Sequence, residues 1–211
     1  MAVLWQGNIR TLVLMLLSRI GIAFLLNAVV PFQFREWRIA MDLETKQLYL
    51  QEFQSADFDD YFAYIIMDPH LQEMLGLNNV FDRPSALENF NWLMENRQFI
   101  AVCKKETGKV IGHICVHPPL ESVAKAQLYC SMQGASLSYA LAAGEQRKGY
   151  MYEALSALCG YLRNNAQIDY LNGEYLSSNF PSRRLLEKLG FQHWGLENFG
   201  GIELITVVRV L

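Results

Sequence analysis

Along the second half of the chain the apolar positions change period in an orderly way. Leu137, Tyr139 and Leu141 alternate with Ser136, Ser138 and Ala140, the two-residue repeat of a strand. Ala154, Leu155, Leu158 and Leu162 then recur at the spacing of one helix face. Tyr170 to Leu176 returns to a strand pattern, after which Asn179 and Pro181 open a helix that carries Leu185, Leu186 and Leu189 and stops at Gly190. Phe191 to Leu196 and Ile202 to Leu211 predict two final strands around Gly200-Gly201. In the first half, Gln47 to Phe53 predicts a strand, with Leu48 and Leu50 in phase and Tyr49 and Phe53 out of phase. Ser55 then caps a helix from Ala56 to Met67, and Asp57 suits the dipole of its first turn. A second helix follows Asp82-Arg83-Pro84-Ser85, runs through Leu87, Phe90 and Leu93, and ends near Arg97. Phe99 to Lys104 and Val110 to Val116 flank Glu106-Thr107-Gly108-Lys109 and form a hairpin that Pro118-Pro119 closes. The order is strand, two helices, three strands, helix, strand, helix, two strands, a mixed α/β (α+β) domain without internal repeats.

Before Met41 the pattern differs. Leu12 to Leu17 and Ile20 to Phe34 are two apolar runs divided by Ser18 and Arg19. Three readings stay open for residues 1–40: an extension upstream of a fold that starts at Met41, a membrane anchor formed by residues 11–34, or an extra packed helix. A cleaved signal peptide fits poorly, since Val29, Val30, Pro31 and Phe32 replace the small residues a cleavage site needs. Residues 41–211 form the patterned domain.

Composition narrows the function class. The 211 residues are 52% hydrophobic and 18% charged, with a net charge of −3. That balance excludes a protein that wraps nucleic acid by neutralising many phosphates, and leaves room for a small basic site for one phosphorylated ligand. Cys103, Cys115, Cys130 and Cys159 show neither a CxxC pair nor metal-ligand spacing, so they read as free thiols of a reducing compartment, the cytoplasm. His113 and His117 share one strand face, but two histidines without a third ligand make no metal site.

The chemistry concentrates in Gly144-Glu145-Gln146-Arg147-Lys148-Gly149-Tyr150-Met151, a loop that leaves a strand and becomes a helix. Unpaired backbone N–H groups and the helix dipole converge at such a point, which suits phosphate. Gly149 removes the side chain that would hold a pyrophosphate off the backbone, and Arg147 and Lys148 add positive charge. Some thirty residues on comes a second constellation: Asn179, Ser182, Leu186, Gly190 and Phe191.

Together with Tyr139, Leu141, Gln146, Gly149 and Glu153-Ala154-Leu155, these residues resemble the GCN5-related N-acetyltransferases (GNAT), most closely the branch that acetylates ribosomal-protein N-termini, over about Thr45 to Leu211. The resemblance implies a mostly antiparallel twisted sheet with one parallel, splayed strand pair and flanking helices. It also implies acetyl-CoA as acyl donor, held between those strands by the backbone around Leu141 and Ala142, by Gln146, by the amides of Arg147, Lys148, Gly149, Tyr150 and Met151, and by Asn179 and Ser182. An amine, from a protein N-terminus or a small molecule, then attacks directly in a ternary complex, without metal or covalent enzyme intermediate.

Two departures stand out. Met151 sits where a small residue is usual, and Leu186 sits where many relatives carry the tyrosine that protonates the leaving thiolate. Ser182 offers a replacement donor to the sulfur, against its plain reading as a first-turn polar residue. Glu174 shares a strand face with Asn172 and Leu176, which suits it to take the amine's proton directly or through water, against its reading as a surface glutamate. Phe58, Tyr61, Phe62, Tyr64, Phe90 and Trp92 are core candidates, some of which would line an amine pocket, and Asp57, Asp59 and Asp60 would attract a cationic acceptor or simply face water. The competing functions are a noncatalytic acyl-CoA-binding or sensing module and a membrane-tethered acyltransferase.

Overall fold

The computed structural model describes residues 42–68, 82–96, 99–199 and 201–211. The apolar runs before Met41, Arg97 and Gly200 lie outside them.

Alternating burial builds the first strands. Leu48 and Leu50 are buried while Tyr49 between them is exposed, giving β2 (Leu48–Glu52), which pairs with a short β1 (Asp42–Glu44). The sequence pattern missed β1, because its three residues carry one apolar side chain. β3 (Phe99–Lys104) and β4 (Val110–His117) form the expected hairpin, and Gly108 supplies the left-handed backbone of its turn at φ 71°. β5 (Gly134–Leu141), β6 (Tyr170–Leu176), β7 (Gln192–Phe199) and β8 (Ile202–Val210) complete the sheet. The described residues thus form one eight-stranded sheet in the order β1-β2-β3-β4-β5-β6-β8-β7, antiparallel except for β5 and β6.

The first helix is corrected in two ways. It does not run unbroken from Ala56: a 3-10 turn (Ser55–Asp57) leads into α1 (Phe58–Tyr61), which widens into a π turn (Phe62–Ile66) closed by Met67 N–H on the Phe62 carbonyl at 3.1 Å. The cap is Gln54, not Ser55, with the Asp57 carboxylate accepting from Gln54 N–H at 2.8 Å. The wide turn keeps Tyr61, Tyr64 and Ile65 all inside. α2 (Arg83–Asn96) starts where Asp82 accepts from Ser85 N–H at 2.9 Å. A further short helix, α3 (Glu121–Ala124), was not read from the pattern. α4 (Tyr150–Asn165) and α5 (Phe180–Lys188) match their expected positions.

Three apolar clusters result. On one face of the sheet α4 buries Ala154, Leu155, Leu158 and Leu162 against Leu137, Leu171, Val207 and their neighbours. On the other, Phe53, Phe58, Tyr61, Tyr64 and Phe90 pack over Phe99, Ala101 and Cys115. Phe62 is only partly buried there and Trp92 is 39% exposed, so the early aromatics divide between core and rim. Under α3, Val123 and Tyr129 cover Tyr170 and Val208. Cys103, Cys115 and Cys159 are buried free thiols as small apolar residues would be, whereas Cys130 is exposed.

Candidate active site

The parallel pair decides where a ligand can enter. β5 and β6 pair from Gly134↔Tyr170 only as far as Leu137↔Gly173, yet β5 continues to Leu141 and β6 to Leu176. Each remains zipped on its far side, β5 to β4 through Leu141↔Gly112 and β6 to β8 through Leu176↔Leu204. The two strands therefore diverge and leave facing edges. Ala142 N–H bonds the Ile111 carbonyl at 2.8 Å. Because antiparallel bonding alternates, the main-chain groups of Tyr139 and Leu141 then point away from β4, into the gap. Of Leu141 and Ala142, it is Leu141 that presents an edge to the opening, although Gln146 Nε2 already donates to its carbonyl at 3.1 Å.

At the wide end of the gap the chain turns into α4. Glu145 and Gln146 N–H close a tight turn on Ala142 and Ala143. Arg147 and Gly149 then take positive φ, 62° and 88°. The first ladder bond of α4 is Glu153 N–H to the Gly149 carbonyl at 3.0 Å, so the amides of residues 150–152 stand ahead of the ladder as an anion-binding helix start does. A Cβ built on Gly149 or Gly144 meets nothing within 4 Å, so the loop faces open space. Tyr150 and Met151 bury their side chains in the main core, 8% and 6% exposed, which explains how a methionine fits where small residues are usual. Arg147 is exposed, and Lys148 reaches Glu145 at 3.0 Å.

β6 and α5 supply the far wall. Asn179 caps α5, its Oδ1 accepting from Ser182 N–H at 3.1 Å, and Ser182 Oγ lies 2.7 Å from the Tyr139 hydroxyl. Leu186, one turn further, is 2% exposed within the core. On the opposite face a small cavity is lined by His117, Leu120, Ser136, Ser138, Asn172 and Glu174. Asn172 is buried with both ends of its amide engaged: Oδ1 accepts from Leu120 N–H at 3.2 Å and Nδ2 donates to Ser136. Thr206 donates to Glu174 at 3.3 Å. His117 Nδ1 meets the Pro118 carbonyl at 3.2 Å, and since a carbonyl only accepts, Nδ1 carries the proton and Nε2 the lone pair. Burial lowers His117 and His113 to about 4; His113 Nδ1 is 2.9 Å from the Tyr64 hydroxyl.

The fold thus brings the phosphate-type loop, the strand edges and Ser182 together, and sets Glu174 with Asn172 on the other face of the opening. It keeps the acids of α1 and the turn before it elsewhere: Asp59 pairs with Arg83, Asp60 accepts from Val110 N–H at 3.0 Å, and Asp57 belongs to the cap. No group of three His, Cys, Asp or Glu that could hold a metal occurs among the described residues. The contact between Tyr139 and Ser182, 43 residues apart, carries no local signal; Tyr139 enters the sequence reading only as a strand residue of a motif.

A family model for the acetyltransferase (GNAT) domain matches residues 47–192, more than half of the chain. The chain belongs to the GNAT acetyltransferases. Among solved structures, a GNAT-family acetyltransferase from Bacillus anthracis superposes with a TM-score of 0.69 at 18% identity, covering 81% of this chain and 98% of that one. A ribosomal-protein-S5-alanine acetyltransferase from Vibrio fischeri gives 0.62 at 16% identity, over 81% and 96%. RimJ from Mycobacterium smegmatis, in complex with CoA-disulfide, gives 0.58 at 16% identity, over 77% and 81%. No curated protein matches the chain. This GNAT domain therefore shares its fold with members of the ribosomal-protein branch. Among its described residues no helix is long and apolar enough to cross a membrane.

Proposed function

We propose that this protein transfers an acetyl group from acetyl-CoA to a primary amine, a protein N-terminus or a small-molecule amine, by direct transfer in a ternary complex. The observation that carries the reading is the divergence of β5 from β6 after Leu137↔Gly173, with a positive-φ, glycine-bearing loop open at its wide end. A pantetheine arm carries amides, and the main-chain groups of Tyr139 and the N–H of Leu141 offer it the pairing that β6 relinquishes. The amides of Arg147 to Met151 receive the pyrophosphate, with Gly149 permitting close approach and Gln146 bracing the loop against β5. Positioning of two reactants supplies most of what direct transfer needs.

The two faces of the opening divide the proton work. Glu174 stands on the cavity side with His117 and Asn172 and takes a proton from the incoming amine, directly or through water. Ser182 stands on the α4 side, beside Tyr139, and donates a hydrogen bond to the sulfur as it leaves. An amine arriving on one face and a thiol departing on the other is the geometry of displacement through a gap in a sheet. Leu186, which brings no hydroxyl, favours the second reading, a noncatalytic acyl-CoA-binding module.

Calorimetry with acetyl-CoA, combined with a free-thiol release assay over small amines and peptides with free N-termini, tests the proposal. Binding with thiol release on at least one amine is expected. Binding with no release across the panel turns the assignment to the noncatalytic module, and absence of binding removes both. The buried free thiols suit a reducing compartment, so we infer a cytoplasmic site of action. Fractionation of cells expressing the full chain or one begun at Met41 separates that from a membrane tether.

A further inference from the structure

The handling of the leaving sulfur can be taken one step further, on the acetyl-transfer reading above. A serine hydroxyl has one hydrogen to give. If Ser182 gave it to Tyr139, nothing would remain for the sulfur; if Tyr139 is the donor in their 2.7 Å contact, the Ser182 hydrogen is free. A phenol is the stronger acid and an aliphatic hydroxyl the better acceptor, which fixes the direction. We propose that Tyr139 is a positioning residue whose hydroxyl donates to Ser182 Oγ and so aims the Ser182 hydrogen at the leaving sulfur.

Four features of the fold support the arrangement. Tyr139 lies two residues beyond Leu137, the last residue of β5 paired with β6, and Ser182 lies in the first turn of the helix that follows β6, so their contact spans the opening itself. Ser182 is held from behind by its N–H bond to Asn179 Oδ1 at 3.1 Å, with Pro181 beside it. Burial pushes the Tyr139 phenol up to about 12, so it keeps its proton at neutral pH. Leu186, one turn beyond Ser182, is buried in the core and brings no hydroxyl to the sulfur. A phenol, a hydroxyl and a sulfur in series polarise one another, and the bond to the sulfur strengthens as negative charge builds there. In the step itself the amine nitrogen forms the C–N bond, its surplus proton passes to Glu174, and the C–S bond breaks with its electron pair going to sulfur. The sulfur leaves as a thiolate held by the Ser182 hydrogen bond, and solvent protonates it after release.

Titration of the thiol of bound coenzyme A, read from thiolate ultraviolet absorbance, tests this without any acceptor. In the wild type the bound thiol should titrate below the free thiol. Tyr139→Phe and Ser182→Ala should each raise it by about one unit, and the double variant should match Ser182→Ala, since Tyr139 acts through Ser182. In turnover, Tyr139→Phe should lower kcat about tenfold with KM for acetyl-CoA within about twofold, an effect absent in the Ser182→Ala background. As a second variant, 3-fluorotyrosine at position 139, a more acidic donor of the same shape, should lower the bound thiol further. Coenzyme A that binds Tyr139→Phe with an unmoved thiol, or shifts that add fully in the double variant, overturns the role of Tyr139 and leaves acetyl transfer standing. Failure of the wild type to bind coenzyme A overturns the acetyl-transfer reading, and this role with it.

Discussion

Gly149 combines two demands at a single position. Its φ of 88° costs an ordinary residue about 1 kcal/mol, and the space above it is open. Gly149→Trp should therefore leave a folded protein, with unchanged far-ultraviolet circular dichroism and a slightly lower Tm, that no longer binds acetyl-CoA by calorimetry. His113 makes a different prediction. Burial holds it near 4 against an ordinary 6.5, so between those values the unfolded chain binds a proton that the folded one refuses. Its contribution is complete above pH 6.5 and is lost as pH falls through the window, by about 3 kcal/mol in all. His117 has the same sign. His113→Gln should flatten the fall of stability between pH 7 and pH 5, as read by thermal melts at a series of pH values. The place of Gly149 was legible in its motif, but the histidine effect was not: the sequence puts two histidines on a strand face, while their burial depends on α1 and on the segment after β4 folding over them.

At the scale of elements, the carboxylate of Glu153 ties the first turn of α4 to the turn between β1 and β2. It accepts from Thr45 Oγ1 at 2.6 Å, from Gln47 N–H at 2.6 Å and from Gln47 Nε2 at 2.7 Å. Glu153→Ala leaves those three donors to water and should lower stability by about 1–2 kcal/mol in urea melts, while weakening acetyl-CoA binding through a looser start of α4. Periodic segments such as α4 and α5 were readable because burial on one face leaves a regular trace in the sequence. The π turn after α1 was not, since Met67 N–H chooses the Phe62 carbonyl only once Tyr61 and Tyr64 have both found room beneath α2. Likewise Ser55 looked like the cap, yet Asp57 answers the Gln54 amide instead. The phosphate-type loop was legible as a motif, whereas the pairing of Tyr139 with Ser182 was not, because it exists only after β5 and α5 have been brought together.

For the whole molecule, the strands that shape the opening, β4, β5, β6 and β8, all have their sheet neighbours within residues 42–211. A chain begun at Met41 should fold with the same Tm within about two degrees and bind acetyl-CoA as the full chain does, checked by calorimetry and melting. The mixed α/β class was within reach of the order of strands and helices, whereas the sheet with one parallel pair was an expectation only through the resemblance carried by the two motifs. That β8 inserts between β6 and β7 was not, because antiparallel neighbours of either order show the same alternation.

That insertion has a consequence for biosynthesis. β8, nine residues long, emerges from the ribosome after every other strand described here, yet it zips to β6 on one side and to β7 on the other. A nascent polypeptide paused after Phe199 exposes a bare β6 flank and a β7 with no partner, both open to mispairing with other chains. On the acetyl-transfer reading, a site able to hold the acyl donor therefore waits until β8 has left the ribosome and paired on both of its sides.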